Sequence, residues 1–259
     1  MKLIMDNLVY SASATNANPA YPEENLYDEH PQKCFKALSS LSTLKSTVTI
    51  NSYGDCNGLA IINTNATQVG VKVTTSDERT GVSVLLNSTF DMTGVNSMIP
   101  LMHDIKARYK DLWIDYQHAP NPVTIELNFY LANTTETILY CGVVVNGLVY
   151  FLPNPQYGLN ESLIDTSVIK WTSNKSLYYK KRDVIRKYNG SLILDRDKDL
   201  FFLMKYIVQR KGPAPMAWAM TDEDNQAWIV YGTMADSMPS VSHEFYKNSS
   251  FNFSIQEVI

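Results

Sequence analysis

Hydrophobic and polar positions alternate along much of the first 150 residues. In STVTINS (46–52), Val48 and Ile50 alternate with Thr47, Thr49 and Asn51. QVGVKVTT (68–75) places Val69, Val71 and Val73 on one face, and VTIELNFYL (123–131) does the same with Val123, Ile125, Leu127, Phe129 and Leu131. A period of two predicts β-strands with one face buried. LAIINT (59–64), VSVLLNSTF (82–90) and DLWIDYQ (111–117) predict three more. ILYCGVVVNGLVYFL (138–152) is long and apolar, and its Asn146-Gly147 pair reads as a type I′ hairpin turn or a bulge. Turn residues at Tyr53-Gly54-Asp55 and between Asn63 and Thr67 separate the strands so closely that antiparallel β structure is expected, not β-α-β units.

Other segments depart from this pattern. Residues 1–33 are rich in Asn, Ala, Ser and Pro. Pro19, Pro22 and Pro31 each disfavour helix before them, so an arm running extended over a neighbouring surface is expected, with Tyr21 and Leu26 as apolar anchors. Within 91–111, Leu101, Ile105 and Tyr109 follow the helical repeat and predict a short helix from about Pro100 to Tyr109. DRDKDLFFLMKYIVQRKGP (195–213) carries the strongest helical pattern. Asp195 or Asp197 caps it, Leu200, Leu203, Met204 and Ile207 form its apolar stripe, and Gly212-Pro213 ends it. Residues 215–234 predict a hairpin with Asp222-Glu223-Asp224-Asn225 at its tip, and 250–259 a terminal strand. The basic, aromatic stretch 167–194 predicts a two-stranded ribbon. It pairs either 176–187 with 190–194, across an Asn189-Gly190 turn, or 167–172 with 177–183.

The fold class expected is therefore mainly β: an antiparallel, jelly-roll-like sandwich, followed by a smaller α+β region with one main helix. The expected divisions are an arm at 1–33, a sandwich at 34–152 with the helical insert, and a C-terminal region at 153–259 beginning near PNPQYG (153–158). A length of 259 residues suits one large or two small domains, and 45% apolar content excludes global disorder.

A net charge of −4 argues against a dedicated nucleic-acid binder. No apolar run reaches the length of a membrane-spanning helix, and the start of the chain lacks the uninterrupted apolar stretch of a secretory signal, so folding in a cytosol is expected. Cys34, Cys56 and Cys141, odd in number and widely spaced, read as reduced and mostly buried thiols. No zinc pattern is present, and no cofactor is implied.

Candidate chemistry is sparse. Asp195-x-Asp197-x-Asp199 matches the start of a calcium loop, but position 12 would be Tyr206, so helix capping is the better account. Asp222, Glu223 and Asp224 concentrate carboxylates on one turn. Lys175, Lys180, Lys181, Arg182, Arg186 and Lys187 form the basic cluster, with Trp171, Tyr178, Tyr179 and Tyr188 interleaved. Such a mixture suits a protein interface, and less well a single-stranded nucleic-acid track. Pairing of this cluster with the 222–224 tip of the next copy would build a head-to-tail ring. His30, His103, His118 and His243 are scattered, with no nucleophile elbow or HExxH, so no enzyme is expected. Tyr53, Trp113 and Tyr116 are candidate sugar platforms or simply packing residues.

Ala20-Tyr21-Pro22, then Asn25-Leu26-Tyr27-Asp28, a Pro, and Phe35-Lys36-Ala37 resemble the opening of a family of bacteriophage tail-associated proteins with a jelly-roll, discoidin-like sandwich. Asp111-Leu112-Trp113-Ile114 resembles that sandwich's returning strand. Gly142 to Leu148, Asp165-Thr-Ser, Tyr179-Lys-Lys-Arg, Tyr231-Gly-Thr-Met and Phe253-Ser-Ile-Gln-Glu-Val are similar to its tail-side half. The resemblance implies a virion structural protein of the tail, baseplate or head–tail neck, assembled in the host cytoplasm. Its partners would be copies of itself and other tail or baseplate proteins. The alternative is a glycan-binding module for adsorption to a host surface. A sandwich hydrolase is the third reading. The candidate interface comprises Tyr21, Leu26, Tyr178, Tyr179, Lys180, Lys181, Arg182, Arg186, Asp222, Glu223 and Asp224.

Overall fold

The computed structural model describes residues 1–38, 43–77, 81–93, 110–132, 138–155, 159–171, 177–182, 184–195, 207, 209, 211, 213–221, 228–234, 241–242 and 248–258. Their strands, in chain order, begin with β1 (Lys2–Ile4), β2 (Val9–Ala14), β3 (Phe35–Leu38), β4 (Thr43–Ser52), β5 (Cys56–Thr64) and β6 (Gln68–Asp77). They continue with β7 (Gly81–Asp91), β8 (Leu112–Ala119), β9 (Val123–Ala132), β10 (Ile138–Gly147), β11 (Val149–Phe151), β12 (Asn160–Asp165) and β13 (Val168–Trp171). The last are β14 (Leu177–Lys180), β15 (Val184–Asp195), β16 (Met216–Ala219), β17 (Ile229–Met234), β18 (Val241–Ser242) and β19 (Asn248–Glu257). All the pairings between them are antiparallel.

The fold is mainly β, as expected, and it stacks three sheets. A five-stranded sheet, β2-β4-β9-β6-β7, faces a four-stranded sheet, β3-β10-β5-β8. Val48, Ile50, Val69, Val71, Val73, Ile125, Leu127 and Phe129 of the first meet Leu59, Ile61, Leu112 and Val144 of the second in the sandwich core. The third sheet runs β11-β1-β16-β17-β19-β15-β12, with β18 attached to β19. Ala60, Ile62, Val143 and Val145 on the back of the four-stranded sheet pack against Ile4, Val149, Ala217, Ile229 and Tyr231 of this third sheet. The four-stranded sheet is thus buried on both faces, which explains why β5 and β10 read as continuous apolar runs. A third core, with Trp218, Tyr188, Leu192, Phe251 and Phe253, lies on the far side of the third sheet and includes Ile207.

Several expectations need correction. The first 33 residues do run extended, but within the chain's own sheets. β1 lies between β11 and β16, and β2 pairs with β4, so this segment is not a free arm. Asn146-Gly147 is not a turn: both residues pair with β5, opposite Leu59 and Gly58. A Cβ on Gly147 would lie 2.3 Å from the Asp6 carbonyl oxygen, so glycine serves here for close approach of the N-terminal strand. Asn189-Gly190 is also mid-strand, in β15. Gly190 stands opposite Phe253, whose ring fills the space of the missing side chain, 2.8 Å from where a Cβ would sit.

Of the two ribbon pairings expected, the second is present, as β13 with β14. The 215–234 hairpin appears as β16 and β17, and the terminal strand as β19. The helix expected near 100–109 and most of 195–213 lie outside the described residues. Ile207, Gln209 and Lys211 are helical.

Candidate functional site

The strongest departure from ordinary surface chemistry is the β13–β14 ribbon. Ile169 stands opposite Tyr179, and Trp171 opposite Leu177. Side chains alternate across a strand, so these four share one face, while Val168, Lys170, Tyr178 and Lys180 share the other. The first face is apolar and aromatic, and all four of its residues are exposed: Trp171 is 73% exposed, Ile169 61%, and Leu177 and Tyr179 54% each. The second is aromatic and cationic, and Lys181 and Arg182, both exposed, follow it in the chain. An isolated two-stranded ribbon is marginal in water, and a contiguous exposed apolar patch marks an interaction site.

The root of the ribbon is pinned. Asp165 Oδ1 accepts from the Ser167 backbone N–H at 2.8 Å, and Ser167 Oγ accepts from the Arg182 backbone N–H at 3.0 Å. Bonds from the Ser167 hydroxyl and backbone hold the Asp165 carboxyl below the usual carboxylate range, with Lys181 adding to the effect. Its outward strand β12 is the edge of the third sheet, where Leu163 is 69% exposed.

A polar cleft of about 680 Å³ lies where the sandwich meets the third sheet, lined in part by Lys36, Asn63, Lys110, Asp111, Arg186 and Glu257. Arg186 donates to Glu257 Oε1 from Nη2 (2.6 Å) and Nε (3.0 Å), and to Asp111 Oδ2 from Nη2 (2.8 Å). Its backbone N–H donates to Glu257 Oε2 at 2.8 Å. Asp111 also accepts from the Asn63 backbone N–H at 2.9 Å, and Asn63 adopts the left-handed conformation (φ 55°) to present it. Burial pushes the Asp111 carboxyl up, against the opposing pull of Arg186, and the charge of Glu257 adds to the rise. Burial acts to lower the Arg186 pKa, but its bonds to Glu257 and Asp111 outweigh this and hold the guanidinium charged. With its arginine saturated by two carboxylates, the cleft is a joint between sheets. Lys2 with Asp115 and Lys211 with Asp6, each at 2.6 Å, make further ionic ties.

The expected interface residues therefore divide. Tyr178, Tyr179, Lys180, Lys181 and Arg182 come together on the exposed ribbon. Tyr21 is also exposed, with Lys36 Nζ 3.7 Å from its ring centroid. Leu26 is fully buried in the sandwich core, held there by a 3-10 turn at Glu23–Leu26, and leaves the interface set. Arg186 leaves it as well, because its charge is spent inside the joint. Asp222, Glu223 and Asp224 lie outside the described residues, as do Asp197 and Asp199.

The expected sugar platforms divide too. Tyr53 is exposed and packs on Tyr10 with ring centroids 4.7 Å apart. Trp113 packs against the second core, and its Nε1 donates to Asp115 Oδ1 at 2.8 Å. Tyr116 is interior and donates its hydroxyl proton to Asn146 Oδ1 at 2.5 Å. Cys56 and Cys141 are buried free thiols, and burial pushes the Cys141 thiol up, away from reactivity; Cys34 is half-buried. Among the described residues no cluster of His, Cys, Asp and Glu is arranged to hold a metal ion. His118 Nε2 is 3.8 Å from Asp55 Oδ1, both exposed, while His103 and His243 lie outside the described residues. The sequence missed the Tyr10 partner of Tyr53, since the two rings meet only through the β2–β4 pairing.

No protein-family model matches the sequence, and no curated protein matches it. Solved structures align with about half of the chain. CBM32-3 from a family 31 glycoside hydrolase of Clostridium perfringens shares 15% identity at a TM-score of 0.41, covering 56% of this chain and 94% of that one. The family 32 carbohydrate-binding module of C. perfringens NanJ, in complex with galactose, shares 10% at a TM-score of 0.35, covering 54% and 93%. XRCC1, bound to the DNA polymerase β catalytic domain, shares 13% at a TM-score of 0.39, covering 55% and 97%. At these values the fold class rests on the sheet order above, and function rests on the site.

Proposed function

We propose that this chain is a non-catalytic building block that docks neighbouring proteins through the β13–β14 ribbon, as a structural component of the tail, baseplate or neck of a tailed bacteriophage. One observation carries the reading: four large apolar side chains share one exposed face of a ribbon whose root is pinned. A pinned, pre-shaped surface loses little entropy on docking, and its aromatic and basic composition is that of interface anchors. The phage setting comes from the ordered motifs from Ala20-Tyr21-Pro22 to the closing strand. Mass spectrometry and imaging of purified particles test it. The chain is expected in the particle, and a variant with 168–182 replaced by a short Gly-Ser turn is expected to fold yet fail to enter. Absence of the chain from particles, or turnover of a small molecule by the isolated chain, would end the reading.

A second reading, a glycan-binding module, is favoured by the exposed Tyr10–Tyr53 pair beside Asp55 and His118. Exposed, tilted aromatic rings near polar side chains are ingredients of a sugar platform. Binding on a glycan array that disappears in Tyr53→Ala would support it.

A further inference from the structure

Residues 167–182 contain five basic side chains (Lys170, Lys175, Lys180, Lys181 and Arg182) and no acidic one, in a chain with 22 Lys+Arg and 26 Asp+Glu. Removing those five leaves 17 basic against 26 acidic residues for the rest of the molecule. Each copy thus brings a cationic ribbon and an acidic body. Glu23, Glu24, Asp28 and Glu29 fall within seven residues that hold no base, beside the exposed Tyr21. Lys33 already pairs with Asp28 at 2.8 Å, which leaves the glutamates of this turn as the acidic surface on offer.

We infer that the occupant of the ribbon is a second copy of this chain, with the cationic and apolar ribbon of one copy seated on the Tyr21–Glu29 turn of the other. The inference rests on the docking reading above and names its partner. Charge complementarity selects and steers the contact, and the apolar face of Ile169, Trp171, Leu177 and Tyr179 supplies the area that holds it. A lipid surface fits less well. The sequence between the two strands, Thr172-Ser173-Asn174-Lys175-Ser176, is polar throughout and would be costly to bury in lipid.

Sedimentation velocity of the full chain tests this, with circular dichroism to confirm folding of each variant. The wild-type chain is expected to self-associate, and to do so less as salt is raised. Trp171→Ser with Leu177→Ser is expected to weaken association about thirtyfold, the effect of losing one strong hot spot. Reversing charge on the ribbon (Lys180→Glu, Lys181→Glu, Arg182→Glu) or on the turn (Glu23→Lys, Glu24→Lys) is expected to abolish self-association. An equimolar mixture of these two variants restores it, because each then offers the other a complementary surface. A monomeric wild-type chain, an inert mixture, reversals without effect, or binding to anionic vesicles in place of self-association each overturn the inference. A monomer that still requires its ribbon to enter particles overturns this inference alone and leaves the docking reading standing. A self-associating chain absent from particles does the reverse.

Discussion

β16 reads Met-Ala-Trp-Ala and β13 reads Val-Ile-Lys-Trp. Each contains a tryptophan, and each pairs antiparallel with the strand that follows it. Trp218 of β16 is fully buried, whereas Trp171 of β13 is largely exposed. The difference comes from the neighbours. β16 is flanked by β1 and β17 inside the third sheet and has a core on each face, so its alternating side chains enter two different cores. The ribbon has no third strand among the described residues, and Ile169, Trp171, Leu177 and Tyr179 on its apolar face are all exposed. Burying a large apolar side chain is worth about 1.5–3 kcal/mol. β16 has already contributed that free energy to folding, and the ribbon still holds it in reserve for a partner.

The contrast can be broken most sharply at the two tryptophans. Trp218→Ala is expected to destabilise the protein by about 3–5 kcal/mol through lost burial and the cavity left behind, measured as a shifted denaturant midpoint. Next in size is the joint. Arg186→Ala leaves two carboxylates facing each other at the edge of the cleft and is expected to cost about 3 kcal/mol by the same measurement. It should also loosen the contact between sandwich and third sheet, read as faster amide exchange in β8 and β19 than in β4 and β9.

A smaller effect follows from Asp111. Burial holds its pKa in the folded protein above the ordinary aspartate value of 3.8, so the folded state takes up a proton before the unfolded chain does. The stability this contributes is complete below 3.8 and is lost as pH rises through the folded-state pKa. Relative to Asp111→Asn, the wild type should therefore gain stability on acidification across that window, and parallel curves would refute the assignment. Smallest of all is Trp171→Ala, expected to move stability by no more than about 0.5 kcal/mol while weakening docking. A large stability loss there would mean that the ribbon packs on its own chain.

Much of the sandwich was legible because its outer strands bury one face only. Val69, Val71 and Val73, or Val123 through Leu131, alternate as the pleat demands. Legibility failed wherever a second layer arrived from far along the chain. Asn146-Gly147 and Asn189-Gly190 carry the local chemistry of turns, yet their glycines answer to Asp6 and Phe253, more than sixty residues away in each case. The site behaved similarly. The exposed run Tyr178–Arg182 was readable from composition. Arg186 looked like its continuation, but it points into the joint, where its partners Asp111 and Glu257 are 75 and 71 residues distant. Leu26 was misplaced because the 3-10 turn that directs it inward leaves no periodic signature in four residues.

β1 has a consequence for how the molecule comes into being. Lys2 pairs with Ala219, and Ile4 with Ala217. A ribosome therefore delivers one of the first strands of the third sheet and must then add some two hundred residues before one flanking strand emerges. In the interval the nascent sandwich can close, with Ile4 against its back and β11 paired along one edge of β1, while the other edge waits for β16. Completion of the third sheet is then a late, long-range event, the slowest kind of step for a β protein. Truncating the chain before residue 216 should yield a sandwich carrying the β1–β11 pair, with the β16 edge of β1 left open and sticky.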